Sequence, residues 1–353
     1  MLVVHMDSGL GNQMLDYAEY LAIKEANPDK EICIETIIYD ISGNHDGMFS
    51  QWNGYELERI FGIKASMLKE TMEKDAWKRV VAKTEKSEFW NNCWNYAPVI
   101  TQALNDEGYK LINMQKNSRQ IYIDEHKRKA CAVRQLLRSL FTTAPGYFVK
   151  RCAKRVFQSE IIRKENAKFD MYQKYNDNVY TGHSLLFKYK GFGLERIDSQ
   201  VRKCFIFPDI TDDNNLSILS EIHSCNSVAI HARRSDMLFL NDYCYKFGYF
   251  KRAVKYIKRH VSDPVFFFFC DDESRGWCEK NEDVFDLDSK TDKIKYITWN
   301  SGKESYRDMQ LMAECKNNIF TESSFGFWGA YLNKNPNKIT CSPDPTIIST
   351  NWF

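Results

Sequence analysis

Three observations predict that this chain is an α/β protein of two domains. Its opening residues, Met1 to Met6, form an apolar run that is followed by a glycine turn at Gly9 and Gly11 and then by apolar residues at helical spacing. Beyond about residue 200, short apolar runs alternate with helical stretches, a pattern typical of a parallel, doubly wound sheet. The length of 353 residues also exceeds that of one average domain. We therefore expect two domains, over residues 1–200 and 201–353.

The elements of the second domain can be predicted in order, whereas those of the first are less distinct. In the first domain a second strand is expected over Ile32 to Tyr39, and residues 52–111 have a helical, aromatic-rich pattern. The second domain contains the following predicted elements: strand Ser227–His231, helix Tyr243–His260, strand Val265–Cys270, strand Ile294–Thr298, helix Lys303–Lys316, strand Asn318–Thr321, helix Phe325–Asn333 and strand Ile339–Ser342. Ligands of such sheets bind beyond the carboxyl ends of the strands, so those ends are where a site is expected.

Cysteine usage and hydropathy predict a cytoplasmic protein. The eleven cysteines are odd in number and include no Cys-x-x-Cys pair, so neither a disulfide framework nor a structural zinc site is indicated. The N-terminus lacks the basic region and long apolar run of a signal peptide. The longest apolar run, Val265 to Cys270, is too short to span a bilayer. We expect reduced thiols in a protein that is at most peripheral to the inner face of the cell membrane.

Residues 116–168 are strongly basic, although the net charge of the whole chain is only +2. The segment contains 14 lysines and arginines against four acidic residues, with apolar residues at helical spacing among them. Such a basic amphipathic stretch can lie on an anionic membrane, and it can equally be the solvated face of an ordinary helix over a core. No recognisable nucleic-acid-binding module accompanies it, so a nucleic-acid partner is not expected.

The first candidate site follows the strand that ends at His231. Arg233 and Arg234 follow it after one alanine, and Asp236 comes two residues later. Adjacent arginines are costly to bury unless anions meet them, and their guanidinium groups match phosphate oxygens in bidentate geometry. Because neighbouring residues of an extended chain point in opposite directions, one arginine is a candidate for binding a diphosphate and the other for pairing with a carboxylate. The alternative is a structural ion pair, for example with Asp236.

Two more strand ends carry polar residues. Asp271 and Asp272 follow a run of four phenylalanines, where acids commonly bind ribose hydroxyls or base N–H groups; the alternative is a helix N-cap. Ser323 and Ser324 follow another strand and precede a helix, whose N-terminal N–H groups attract phosphates; the alternative is simple capping. Together, the three strand ends predict a nucleotide diphosphate site.

Two other patterns in the sequence suggest alternatives to a nucleotide diphosphate site. Asp286 and Asp288 form an Asp-x-Asp pair after an apolar run, as in metal-dependent transferases, but such pairs are common by chance. The turn at Gly9 and Gly11 lacks the third glycine of a dinucleotide fingerprint, so an oxidoreductase is not favoured.

Four motifs occur in order along nearly the whole chain. They are Gly-x-Gly-Asn-Gln-Met at Gly9–Met14, His-x-Arg-Arg-x-Asp at His231–Asp236, a strand ending in Asp-Asp at Cys270–Asp272, and a Ser-rich turn before an aromatic helix at Glu322–Ala330. In these motifs the chain resembles the bacterial and animal α-1,2-fucosyltransferases, glycosyltransferase family 11. The resemblance implies a GT-B-like pair of Rossmann-like domains with the donor site in the C-terminal domain.

The resemblance also implies an activity. An enzyme of this kind transfers L-fucose from GDP-fucose, with inversion and without a metal or other cofactor, to a hydroxyl, expected to be O2, of a terminal galactose in a glycan. Its implied catalytic residues are Arg233, Asn12 and Asp236. The resemblance places Arg233 at the β-phosphate, which leaves Arg234 to hold the loop. Its implied donor-binding residues are Gly11, His231, Arg233, Arg234, Asp271, Asp272, Ser323, Ser324, Phe325 and Gly326. The alternatives are another GDP-sugar donor, or a nucleotide-sugar or membrane-peripheral binding module without catalysis.

Overall fold

The computed structural model describes residues 1–41, 52–92, 94–114, 140, 143–157, 174–182, 185–191, 193–232, 234, 238–344, 347–348 and 351–352. The chain divides into two compact units. Unit 1 comprises Met1–Leu140 and Ser159–Ile206, and unit 2 comprises Phe141–Gln158 and Phe207–Phe353. The chain therefore enters unit 2 for a short stretch before it completes unit 1.

Unit 1 is built on a four-stranded parallel sheet. Its strands are β1 Leu2–His5, β2 Ile32–Glu35, β3 Ile112–Asn113 and β4 Val179–Gly182, in the order β2-β1-β4-β3. Its helices are α1 Leu10–Ala26, α2 Leu57–Phe61, α3 Leu68–Thr71, α4 Lys74–Lys86, α5 Tyr96–Asp106 and, in chain order after a helix of unit 2, α7 Asp198–Cys204. Strands β1, β2 and β4 are buried along their whole length, as expected for a sheet covered on both faces.

The predicted strand over Ile32 to Tyr39 is too long. The strand ends at Glu35, and a 3₁₀ helix follows over Ile37–Asp40. The carboxylate of Glu35 accepts a hydrogen bond of 2.9 Å from the backbone N–H of Ile37, which turns the chain away from the sheet. Local side-chain bonding of this kind competes with a continued strand.

Unit 2 is built on a six-stranded parallel sheet. Its strands are β5 Asn226–His231, β6 Pro264–Phe269, β7 Lys293–Ile297, β8 Asn317–Phe320, β9 Thr340–Ser342 and β10 Asn351–Trp352, in the order β10-β9-β8-β5-β6-β7. Its helices are α6 Ala144–Val156, α8 Asp213–Ser224, α9 Leu238–Lys246, α10 Tyr249–His260, α11 Asp272–Lys280, α12 Glu282–Phe285, α13 Tyr306–Glu314 and α14 Ser324–Leu332. The prediction of an α/β protein is thus confirmed, with one parallel sheet in each unit.

The second half follows the predicted alternation closely, with one correction. The helix predicted over Tyr243–His260 is two helices, α9 and α10, separated at Gly248, which has a left-handed backbone with φ 70°. A left-handed residue ends a helix, and glycine adopts that conformation without steric cost. The run of phenylalanines in β6 is buried on both faces, which explains why it does not alternate with polar residues.

Each sheet contains a point where the chain reverses its direction of progress. In unit 2 the chain proceeds from β5 outward to β7 and then returns to β8 on the other side of β5. In unit 1 the corresponding neighbours are β1 and β4. The crevice beyond the carboxyl ends of the strands at such a point is the usual place for a ligand in doubly wound sheets.

Candidate functional site

The crevice of unit 2 lies between the ends of β5 and β8. His231 ends β5 and pairs in register with Phe320, which ends β8. The start of helix α14 approaches this pair so closely that a methyl group on Gly326 would lie 2.6 Å from Nδ1 of His231 and 2.9 Å from Cβ of Phe320. Real Cβ atoms do not come so near, so the absence of a side chain at Gly326 is what allows the helix to begin here. The structure therefore brings together His231 and Gly326, two residues of the predicted donor site.

The N-terminus of α14 lies beside this pair. Ser323 holds the N-cap position with an extended backbone (φ −132°, ψ 133°), yet its side chain makes no capping hydrogen bond among the described residues. Its backbone N–H instead donates to the carbonyl of Thr321 at 2.7 Å. Ser323, Ser324 and Phe325 are half-buried, and the Phe325 ring lies 5.7 Å from that of His231. An uncapped helix N-terminus offers N–H groups and a positive dipole end to negative charge.

Helix α9 holds the turn before α14 in place. The side-chain oxygen of Asn241, which is fully buried, accepts from the backbone N–H of Glu322 at 3.1 Å. The hydroxyl of Tyr243 donates to the Glu322 carboxylate at 3.0 Å. Sequence reasoning missed both residues, because they lie about 80 positions from their partner and form no motif with it. They fix the turn from which Ser323 projects.

Arg234 stacks on aromatic rings. Its guanidinium carbon lies 3.4 Å from the centre of a Trp277 ring and 4.8 Å from that of Tyr245. This cation–π arrangement attaches the loop after β5 to α9 and α11. Arg233 and Asp236 lie outside the described residues, so their roles stay predictions.

Asp271 and Asp272 lie at the carboxyl end of β6, beside β5. Asp271 is the N-cap of α11: its carboxylate accepts from the backbone N–H of Ser274 at 2.8 Å and from its hydroxyl at 3.0 Å. The capping alternative is thus present for Asp271. Asp272 is the first residue of the helix and is exposed. Their predicted contact with a nucleoside remains a prediction.

A polar cluster beyond β7 was not predicted from the sequence. Nδ2 of Asn300 donates to Asp308 at 2.8 Å, and Nε1 of Trp299 donates to Asn215 at 3.0 Å. Burial raises the pKa of Asp308 to about 7, against the hydrogen bond from Asn300, which lowers it. Trp299 remains 41% exposed at the same sheet edge as Asp271, since Ile297 and Phe269 pair in register. An aromatic ring with amide and carboxyl groups nearby suits a nucleotide base.

The glycine turn of unit 1 is the start of α1. Gly9 is the N-cap, Gly11 is buried in the first turn, and the backbone N–H of half-buried Asn12 donates to the Gly9 carbonyl at 2.9 Å. Ser8 before it has a left-handed backbone with φ 68°, an uncommon conformation for a residue with a side chain. The predicted sequence of strand, glycine turn and helix is confirmed, and the catalytic role of Asn12 stays a prediction.

The crevice of unit 1 contains a buried charged cluster. His5, at the end of β1, pairs through Nδ1 with Glu35 and through Nε2 with Asp7 at 3.4 Å, and all three side chains are fully buried. The hydroxyl of Tyr180 donates to Glu35 at 2.7 Å, and the His5 ring stacks at 4.0 Å on that of Tyr96. Burial lowers the pKa of His5, but the carboxylates of Glu35 and Asp7 outweigh it and raise that pKa to about 9.

The remaining predictions concern metals and membranes. Asp286 ends α12 with a left-handed backbone and lies 3.7 and 3.6 Å from the ammonium groups of Lys251 and Lys255, and the carboxylate of Asp288 accepts from the backbone N–H of Lys290. Within the described ranges, no cluster of three or more His, Cys, Asp or Glu side chains could hold a metal ion. Over the same residues, no helix combines the length and the apolar character needed to cross a bilayer.

The sequence matches the model of a known family. The family model described as "Glycosyl transferase family 11" matches residues 63–344, which is most of the chain. The chain belongs to glycosyl transferase family 11. The match covers the strand ends at His231, Asp271 and Ser323, whereas the glycine turn at Gly9 lies before it.

Individual relatives match over shorter stretches. An alpha-1,2-colitosyltransferase of Escherichia coli is 33% identical over 155 residues, 42% of this chain and 49% of the relative. The O-antigen biosynthesis glycosyltransferase WbnK of Escherichia coli is 31% identical over 148 residues, 39% of this chain and 45% of the relative. Human galactoside alpha-(1,2)-fucosyltransferase 1 is 23% identical over 145 residues, 38% of each chain. The aligned part thus spans half or less of these curated relatives.

Solved structures resemble the chain only in general outline. A mutant of Arabidopsis thaliana FUT1 in complex with GDP matches with a TM-score of 0.42 and 10% identity, covering 98% of this chain and 73% of that one. The Escherichia coli ADP-heptose LPS heptosyltransferase II matches with a TM-score of 0.39 and 10% identity, covering 100% of this chain and 89% of that one.

Proposed function

We propose that this family 11 protein is an inverting fucosyltransferase that moves L-fucose from GDP-fucose to a hydroxyl, O2, of a terminal galactose in a glycan. The observation that carries the proposal is the close approach of the N-terminus of α14 to His231 in the unit 2 crevice. A nucleoside diphosphate leaving group needs such a site. The family match supports the proposal, and the relatives' names indicate sugar transfer in α-1,2 linkage.

The chemistry requires stabilisation of the departing GDP. The acceptor oxygen attacks the anomeric carbon of fucose as the bond from that carbon to the β-phosphate oxygen breaks, and the acceptor proton passes to a base or to water. Negative charge then develops on the diphosphate. In the proposed mechanism Arg233 and the start of α14 meet this charge without a metal ion, as preorganised donors do in other transferases. Arg234, held on Trp277, keeps the loop that carries Arg233 in place.

Three carboxylates near the motifs are candidates for the base that accepts the acceptor's proton. Glu322 already accepts from Tyr243, and Asp7 is fully buried beside His5, so both have structural partners. Asp236 remains the proposed candidate by its place after the arginine pair. A transition state with strong oxocarbenium character needs only a weak base at this position.

Replacement of Arg233 tests the proposal directly. The variant Arg233→Ala should lose turnover by about 10²-fold or more, because a preorganised donor to the leaving group is removed. The control is Arg79→Ala, which removes an exposed arginine paired with Glu107 in unit 1 and should leave turnover unchanged. Near-normal transfer by a folded Arg233→Ala variant would contradict the assignment.

A second candidate donor follows from the relatives. The colitosyltransferase is more similar to this chain than the human fucosyltransferase, so a donor that carries colitose in place of fucose is the alternative. GDP release should be measured with each of these donors, with GDP-mannose and with UDP-sugars, against a panel of galactosides. Binding of GDP-fucose without turnover on any acceptor would instead indicate a non-catalytic binding module.

The location is part of the proposal. We place the protein in the cytoplasm, where its cysteines stay reduced; the nine cysteines within the described residues are all free thiols. Cell fractionation tests this placement.

A further inference from the structure

Helix α6, Ala144–Val156, has two unlike faces. One face packs on unit 2: the Tyr147 ring lies 5.3 Å from that of Tyr243 and 5.1 Å from that of Phe247. The other face is turned outward, where Phe148 is 63% and Val156 is 72% exposed, with exposed Cys152 between them. Residues four positions apart share one side of a helix, so these three form a single apolar stripe.

This stripe belongs to a concentration of exposed apolar side chains. Nine large hydrophobic residues of the described chain are exposed, and four of them lie in α6 or at its C-cap: Phe148, Val149, Val156 and Phe157. Single exposed apolar residues are normal on a protein surface, whereas a contiguous group marks a binding surface. Tyr147 lies on the face of the helix that packs inward, and the exposed apolar side chains lie on the opposite, outward face.

The charge of the helix indicates what covers this face. Its sequence contains four basic residues and no acidic one, and the surrounding segment 116–168 has 14 basic against four acidic residues. A second copy of the chain would bring these like charges together, at a cost. An anionic lipid surface offers the opposite charge and an apolar layer beneath it, and the two attractions act together on amphipathic helices.

We propose that α6 docks this protein on an anionic membrane surface, with Phe148, Val149 and Val156 at the boundary between headgroups and acyl chains. The inference is separate from the proposed transfer reaction, because its readout is vesicle binding without turnover. A protein that fails to bind vesicles can still transfer sugar, and the reverse also holds.

Vesicle flotation of the full chain tests the proposal. We expect co-flotation with vesicles that contain phosphatidylglycerol, weaker binding to pure phosphatidylcholine, and a loss of binding as salt is raised. The double variant Phe148→Ser with Val156→Ser should bind the anionic vesicles with an affinity lowered on the order of tenfold or more. The control Ile206→Ser removes an apolar side chain that is 65% exposed outside the helix and should bind like the parent chain.

Results of two kinds would overturn the proposal. One is equal binding of the parent and the double variant, or no binding of the parent to anionic vesicles. The other is a concentration-dependent dimer in solution that the double variant abolishes, which would assign the face to a second copy. Because both replaced side chains are exposed, the variants are expected to fold, and unchanged GDP-sugar turnover on a water-soluble galactoside confirms it.

Discussion

At the scale of the residue, the structure separates groups that the sequence presents alike. Arg233 and Arg234 are adjacent, but Arg234 lies against the rings of Trp277 and Tyr245. The sequence hypothesis that one arginine holds the loop is consistent with this stacking. Asp271 and Asp272 also differ, although both are exposed, since the carboxylate of the first caps α11 and the second is the first residue of that helix. The burial and bonding of each side chain, and not its type alone, decide which group is left for a ligand.

His5 gives a pH dependence to stability. Its pKa in the folded protein, about 9, is higher than the usual value of 6.5. Between these two pH values the folded state therefore keeps a proton that the unfolded chain has already released. The stability that this proton contributes, about 3 kcal/mol, is fully present below pH 6.5 and is lost as the pH rises through 9. Urea unfolding between these pH values should show the decline.

The control for this prediction is His223→Gln. His223 is an exposed histidine paired with Glu314, so the variant should keep the same decline. By contrast, Tyr180→Phe removes the hydroxyl that donates to Glu35 and should change the profile in that range. An unfolding free energy of the parent chain that stays constant from pH 6.5 to 9 would contradict the charged state assigned to His5.

At the scale of the element, the placement of α14 decides the candidate site. The helix begins against His231 because Gly326 has no side chain. It packs closely on α13 because Gly329 has none either: a methyl group there would lie 2.8 Å from Cβ of Met312. The turn before it is held by Asn241 and Tyr243 of α9. The position of the N-terminus of α14 therefore depends on contacts with other elements of unit 2.

Gly326→Ala should displace this helix start. A Cβ atom would overlap with His231 and Phe320, both of which are fixed in the sheet, so we expect a loss of about 1–3 kcal/mol in the free energy of unfolding. Because the N-terminus must move, GDP binding should weaken as well. Denaturant unfolding and calorimetric titration with GDP measure the two effects.

Gly276→Ala is the matched control for this variant. Gly276 lies inside α11, and a Cβ atom there would meet nothing within 4 Å. Alanine should therefore leave GDP binding unchanged and stabilise the protein by up to about 1 kcal/mol. If both alanine variants behaved alike, the close approach of α14 to β5 would not matter for the site.

At the scale of the whole molecule, each unit has its own parallel sheet and its own crevice. The unit 2 crevice has the N-terminus of α14 and, in the loop after β5, the cationic side chain of Arg234. The unit 1 crevice instead contains the buried cluster around His5 and the glycine turn with Asn12. This difference supports the proposal that the donor is bound by the second unit.

Binding of GDP should stabilise the folded chain without a metal. At a concentration 100 times its dissociation constant, a ligand that binds only the folded state adds about 2.7 kcal/mol, which raises the melting temperature by a few degrees. The rise should be equal with and without EDTA, because the proposed site meets the diphosphate with arginine and backbone N–H groups. UDP serves as the control nucleotide and should give a smaller rise. A shift that EDTA removes would point to a metal-assisted site.

The sequence by itself determined the fold class and the places where chemistry could lie. Strands buried on both faces need continuous apolar runs, such as the phenylalanines of β6, and these runs locate the strand ends that carry His231, Asp271 and Ser323. Such signals are local, so they can be read without knowledge of the three-dimensional structure. The sequence could not show where the predicted helix over Tyr243–His260 breaks, since Gly248 is also compatible with a continuous helix.

Only the tertiary structure decided which of these groups meet. The strand order puts β8 beside β5, and this pairing creates the crevice at His231. The tertiary structure also brings His5 into contact with Tyr180, 175 residues away, and Glu322 into contact with Tyr243, 79 residues away. Contacts over such separations leave no periodic pattern, because any polar residue at a strand end has many possible partners until the order of the strands is fixed. The sequence therefore indicated the edge of the sheet, and the order of its strands selected the site.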